Sequence, residues 1–284
     1  MTATGGTGAR ASRWTQTQYA HNGTVDIAYD TLAGSEGEPL LLVMGLAVSR
    51  FWWPAGLGQV FAARGFAVAR KRGAYTSEDM TDDAISVLDA LGWERAHLFG
   101  ASLGGIIAQR IALRHPDRVL SVASMAGIPS DTSGVGAIRY VRFGMLARLM
   151  RLKFPEGRDG DIQMSLALAR AVASPAYPFD EAATREWIER EVDSGPRDTK
   201  AQSRQTGAGW HGPKLRELRK PALVLHGDHD PLLRVSAARH TAKAIAGARL
   251  VLLPGAGHDL PEPLWGTIAD EVRHNADRAL AHQG

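Results

Sequence analysis

A chain of 284 residues with 44% hydrophobic and 22% charged residues has enough apolar material for a sizeable core, as one large domain or two small ones. Its formal net charge of +3 is too slight for the dense basic patch of a nucleic-acid binder. With no cysteine, disulfides, thiol catalysis and thiolate metal sites are excluded.

The opening "MTATGGTGARASRW" lacks an apolar core, so it does not read as a secretory signal. No apolar run reaches the roughly 18 residues needed to span a membrane. A cytoplasmic protein without stable membrane insertion is the expectation. Residues 1–17 are set apart as a flexible N-terminus, Gly/Thr/Ala-rich over 1–13. "TQYAHNGTVDIAYDTL" follows, where Asn22-Gly23 between alternating segments predicts a β-hairpin. "PLLLVMG" (39–45) and "FAVAR" (66–70) read as buried strands. Residues 77–91 read as a helix with an apolar stripe, Thr76 and Asp79 suiting a capping box and Gly92 a C-terminal stop. "RAHLFG" (95–100) predicts a strand and "SLGGIIAQRIALRHP" (102–116) a helix ending before Pro116. Beyond them lie strands at 118–126, 221–227 and 249–255, and helices at 236–247 and 263–280.

Strands written as near-continuous apolar runs, alternating with helices, predict an α/β fold: a mostly parallel sheet covered on both faces. The alternation stops between 131 and 215. There "VGAIRYVRFGMLARLMRLKFP", "DIQMSLALARAVA", "DEAATREWIEREV" and "TKAQSRQTGAGW" predict a helical insert placed to cover a site as a cap. The core would then be 18–130 with 216–284. Met145, Leu149 and Trp210 are expected to face the pocket. The basic, amphipathic "RYVRFGMLARLMRLK" reads as a stripe packed over that pocket with its arginines solvated, rather than as a lipid-binding surface.

Gly100-Ala101-Ser102-Leu103-Gly104 is a G-x-S-x-G run where a strand turns into a helix, the setting that presents a serine hydroxyl for nucleophilic attack. A serine needs a base and a group to orient that base. "LHGDHDPLL" and "LPGAGHDL" end two of the strands, where sites in open α/β sheets form. They offer Asp228, Asp230 and His258; Asp131 is a further carboxylate, and spacing alone does not choose among the acids. The N–H of Leu103 and that of Leu46, after "LLLVMG", are the expected oxyanion donors. "HGDHD" (226–230) resembles part of an H-x-H-x-D-H zinc motif, but Val224 stands where the first histidine belongs, so no metal is expected. His226 and His229 then read as polar loop residues. Gly6-Thr7-Gly8 and Gly134-Val135-Gly136 do not follow strands as a dinucleotide fingerprint requires.

From about 18 to 280 the chain resembles the α/β-hydrolases, in their aclacinomycin methylesterase-like and lipase-like serine esterase branch. The resemblance is carried by "LLVMGLAVSRFWWP", "AYTSEDMTDDAISVLDALGWERAHLFGASLGGIIAQRIALRHPDRVLSV", "SPAYP" and "GARLVLLPGAGHDLP". It implies Ser102 as nucleophile, Asp230 as acid, His258 as base, and Leu46 and Leu103 as oxyanion donors. It also implies a cofactor-free enzyme acting on a small-molecule ester, methyl esters of polyketide-like products included. C–C hydrolysis, perhydrolysis, or a receptor with poor turnover are the alternatives on the same triad. An epoxide hydrolase or dehalogenase is disfavoured, because those need a carboxylate where Ser102 stands. The chain departs from the family after "FAVAR". A D-x-R-x-x-G-x-S segment and longer loop are replaced by "ARKRGAYTSEDM", an expected opening in one pocket wall.

Overall fold

The computed structural model describes residues 14–46, 48–71, 77–132, 134–195 and 210–281. Eight strands form one sheet in the order β1-β2-β4-β3-β5-β6-β7-β8. They are β1 (Gln18–Asn22), β2 (Val25–Thr31), β3 (Glu38–Val43), β4 (Phe66–Lys71), β5 (Ala96–Ala101), β6 (Val119–Met125), β7 (Ala222–Gly227) and β8 (Arg249–Leu253). β1 and β2 run antiparallel to their neighbours, and β4 through β8 are parallel throughout.

Side chains alternate across a strand, and here both alternating sets are buried. Leu41, Val43, Leu98 and Val122 pack toward α2 (Ser77–Ala90) and α3 (Leu103–Arg114). Leu40, Leu42, Phe99 and Leu225 pack toward α1 (Ala55–Ala62) and the C-terminal helix (Trp265–Ala281). That two-sided burial is why the strands read as continuous apolar runs.

The hairpin forms one residue later than its Asn-Gly signal suggests. Asn22 pairs with Val25, so the two-residue loop is Gly23-Thr24, with Gly23 at φ +59°. A positive φ at the first central residue alone is the type II′ pattern. Asn22 stays in the strand and donates its Nδ2 proton to Asp83 Oδ1 at 2.9 Å. Helix α2 stops before Gly92 as expected: the Trp93 N–H bonds to Leu88 O and the Gly92 N–H to Asp89 O, a Schellman closure. Thr76 of the expected capping box, and most of the shortened 69–76 connection, lie outside the described residues.

Residues 14–17, grouped by composition with the flexible terminus, are tied to the sheet. Trp14 bridges to Leu32, and Thr15 bonds Thr31 O through its N–H. Arg50 Nη2 donates to Thr17 Oγ1. Behind them lies a buried charge cluster. Asp30 Oδ2 accepts from Arg50 Nε at 2.8 Å and from Arg70 Nε at 3.1 Å, and Arg70 stacks 4.1 Å over the Trp14 ring. Burial pulls the Arg70 guanidinium down to about 9, with Asp30 opposing the shift.

Between β6 and β7 the chain leaves the sheet for α4 (Val135–Ile138), α5 (Phe143–Leu149), α6 (Arg158–Val172) and α7 (Glu181–Asp193). The stretch over 135–155, expected to be mainly helical, is interrupted at 139–142. There Val141 bridges Leu233, the Arg142 N–H bonds Leu232 O, and the Arg234 N–H bonds Tyr140 O. Tyr140 is buried, with its hydroxyl 3.0 Å from His240 Nδ1. Strand-like pairing and a tyrosine anchor override the local helical preference. Val135, Phe143 and Met150 are exposed, so the apolar stripe is only partly covered. Of "TKAQSRQTGAGW" only Trp210 is described. After β7 come α8 (Val235–Ala244), β8 and α9 (Trp265–Ala281), the last entered through a 3-10 turn at Glu262–Leu264. No helix among the described residues is long and apolar enough to cross a membrane.

Candidate active site

Ser102 sits between β5 and α3 with φ +56° and ψ −123°, a conformation costly for a residue with a side chain. Its N–H is held by Met125 O at 2.8 Å. The turn is tight because its glycines lack a Cβ. A Cβ on Gly100 would stand 2.0 Å from Gly104 O, and one on Gly104 would stand 2.0 Å from Val43 O. Strand, helix and the end of β3 therefore close on the serine together, and the hydroxyl is left pointing outward.

His258 lies five residues beyond β8 and Asp230 three beyond β7, on the side of the sheet where β5 ends. Asp230 Oδ2 is 2.7 Å from His258 Nδ1, and His258 Nε2 is 3.0 Å from Ser102 Oγ. A carboxylate can only accept, so Nδ1 carries the imidazole proton and Nε2 is free to accept the serine proton. Asp230 Oδ1 accepts the N–H groups of Leu232 and Leu233 at 2.7 and 2.8 Å. Burial alone would raise the Asp230 carboxyl. The hydrogen bond and charge of His258, with the Leu233 N–H, outweigh it and hold the group below the ordinary carboxylate range.

The other acids face elsewhere. Asp228 Oδ1 accepts from His229 Nδ1 and from the Gly255 N–H, both at 2.7 Å, and Asp131 accepts from the Leu215 N–H. Within "HGDHD", Asp228 thus pairs with His229 while Asp230 faces His258. His226, read as a loop residue, is instead fully buried in β7, with Nε2 3.5 Å from Asp230 Oδ2 and from Leu233 O. Its Nδ1 has no hydrogen-bond partner, and burial pushes its imidazole below the ordinary histidine value, with Asp230 opposing.

Leu103 is the first residue of α3, where helical geometry gives an N–H no acceptor within the helix. Leu46 follows Gly45 in the turn after β3. A Cβ on Gly45 would stand 3.0 Å from Ser102 Cβ. Met145 and Leu149 line a groove of about 660 Å³ between α5 and α6, with Pro231, the neighbour of Asp230, in its wall. Trp210 is not there. It packs on the α2–α3 side of the core, with the Arg110 guanidinium 5.0 Å from its ring. Ser174 also reaches the His258 loop, bonding Asp259, and sequence spacing gave no signal for that pairing across 85 residues.

Residues 60–262 match the family described as alpha/beta hydrolase fold. The chain is 28% identical over 273 residues to rhodomycin D methylesterase DauP of Streptomyces sp. (strain C5), covering 83% of this chain and 91% of that protein. It is 26% identical over 239 residues to 2-hydroxymuconate semialdehyde hydrolase of Pseudomonas putida, covering 78% and 81%. Its fold is similar to the esterase RhEst1 from Rhodococcus sp. ECU1013, with TM-score 0.74 and 21% identity over 93% of this chain and 99% of that one. With its sheet order, its strained serine turn and this match over most of its length, the chain belongs to the α/β-hydrolase fold family.

Proposed function

We propose that this hydrolase cleaves carboxylic esters through Ser102, His258 and Asp230, by way of an acyl-enzyme. The hydrogen-bonded line from Ser102 Oγ through His258 to Asp230 Oδ2 carries the reading. Ser102 Oγ attacks the ester carbonyl while His258 Nε2 takes its proton, and Asp230 steadies the imidazolium that forms. The N–H groups of Leu103 and Leu46 receive the charge that develops on the carbonyl oxygen. The tetrahedral adduct collapses, the alcohol leaves with the proton from His258, and water repeats the sequence on the acyl-enzyme to release the acid. Every step uses a group of this chain or of water, so no cofactor or metal enters.

The substrate is a small-molecule ester. A methyl ester is favoured over C–C hydrolysis or perhydrolysis because the methylesterase relative matches 83% of this chain. Residues 131–215 act as a cap that selects substrate, supported by the groove between α5 and α6 beside Pro231. A fluorophosphonate probe tests the mechanism. It labels the wild-type chain at Ser102, and labelling is lost in Ser102→Ala and strongly slowed in His258→Ala. Labelling that ignores both substitutions would overturn the assignment. Labelling without turnover of any ester in an aryl and methyl ester panel would favour the receptor.

A further inference from the structure

The loop carrying His258 is fixed from two sides. Up to residue 256 it is bound to the end of β7: the Asp228 N–H donates to Leu253 O and the His229 N–H to Ala256 O. The next three residues are bound to the end of α6 and the segment after it. The His258 N–H donates to Val172 O at 2.9 Å, and the Gly257 N–H donates to Ser174 Oγ at 2.8 Å. The Ser174 hydroxyl in turn donates to Asp259 Oδ1. One buried hydroxyl therefore accepts from the residue before His258 and donates to the residue after it.

The contact is close along its length. A Cβ on Gly257 would stand 2.5 Å from Val172 O and 2.8 Å from Ala173 O. Further along, the Tyr177 hydroxyl donates to Pro254 O at 3.0 Å. Burial pushes the Asp259 carboxyl up, and the Ser174 hydroxyl opposes that shift together with the backbone N–H groups of Ser174 and Asp259.

We propose that Ser174 is a positioning residue for His258, and that through it the alignment of the base follows the placement of α6. The proposal rests on the triad reading above. Residues 254–261 form no helix or strand, so the backbone beneath the imidazole is set by these bonds rather than by a regular element. Asp230 holds one ring nitrogen, but a single bond leaves the ring free to swing with its backbone. Val172 is the last residue of α6 and Ser174 stands two residues beyond it. A shift of α6 moves both supports together, and misplacement of a catalytic group by about 1 Å can cost about 10²-fold in rate.

The test is steady-state kinetics on the full chain with an activated aryl ester, with melting temperature read in parallel. Ser174→Ala is expected to lower kcat about 10- to 100-fold while KM stays within about twofold, because the base and not the pocket is disturbed. Ser174→Thr, which keeps the hydroxyl, recovers most of that loss. Asp259→Ala lowers kcat in the same direction and gives the second reading should Ser174→Ala not fold. The double variant falls no further than the worse single one, since both cut the same link. A Ser174→Ala protein that melts normally and turns over like wild type overturns the proposal, as do losses that multiply in the double variant. Ser102→Ala is run alongside. If it abolishes turnover while Ser174→Ala does not, only the positioning role falls; if Ser102→Ala remains active, the triad reading falls and this role with it.

Discussion

Gly45 and Ser102 approach so closely that a Cβ on the glycine would stand 3.0 Å from Ser102 Cβ and 3.5 Å from its hydroxyl oxygen. The end of the β3 turn is thereby packed against Ser102, the proposed nucleophile, as an oxyanion donor at Leu46 would require. Gly45→Ala must push back either the serine or the Ala101 carbonyl, 3.2 Å from the same point. We expect kcat/KM to fall about 10- to 100-fold with little change in melting temperature. Activity within about twofold of wild type would show that the turn has room to yield.

Asp228 and Asp230 provide a matched comparison two residues apart. Asp230→Asn leaves the geometry intact but removes the charge opposite His258, and kcat should fall about 10⁴-fold. Asp228→Asn touches only His229 and Gly255 and should stay near wild type. Similar losses in both, measured on one aryl ester, would break the assignment of the acid.

Met145 and Leu149 stand in the groove wall, whereas Trp210 is half-buried against the core, with Arg110 over its ring. Alanine at 145 or 149 is expected to change the ranking of esters by KM. Alanine at 210 should instead leave that ranking unchanged and lower stability by about 1–2 kcal/mol, as expected for truncating a half-buried aromatic packed against the core. The ester panel and a urea titration separate the two effects.

Asp30 neutralises two buried arginines, and its second oxygen, Oδ1, has no hydrogen-bond partner. Asp30→Asn leaves Arg50 and Arg70 facing each other without a counter-charge. The expected cost is about 3–5 kcal/mol in urea unfolding, typical of breaking a buried ionic cluster on one side. A loss below about 1 kcal/mol would mean that water and the Thr17 hydroxyl already solvate the guanidinium groups.

His226 and His97 both have imidazoles lowered by burial. The unfolded chain therefore binds protons that the folded chain does not. Their contribution to stability is complete above the ordinary histidine value of about 6.5, and it falls as pH drops below that value. The melting temperature should decline from pH 7.5 to 5.5, and His226→Leu should flatten the slope. Asp230, shifted down, acts only at lower pH, as its folded form takes up a proton. An unchanged slope in His226→Leu would assign the acid sensitivity to other groups.

The serine turn was legible because its requirements are local: small residues at 100 and 104, an apolar strand before, a helix after. The places of Asp230 and His258 at strand ends followed from the alternation of strands and helices, which determines the edge each loop reaches. What was not legible depends on distant partners. The helical pattern over 135–155 is interrupted because Tyr140 reaches His240 and Val141 pairs with Leu233, contacts roughly a hundred residues away that periodicity does not encode. Trp210 looked like a pocket residue by position and hydrophobicity, but Arg110 supplies a better face for its ring. His226 looked polar because of its charged neighbours, while the strand register turns it inward.

The seam between residues 172–177 and 254–259 has a consequence for anyone exchanging parts between relatives. The segment between β6 and β7 looks removable, since it enters and leaves at neighbouring strands. Yet its middle third carries the fastening of the histidine loop. A chimera whose donor portion lacks a hydroxyl at the position of Ser174, or whose α6 ends a turn earlier, would receive a new recognition surface and a poorly aimed base at once. Junctions that retain 172–177 from the host, and graft on either side of it, separate selectivity from turnover.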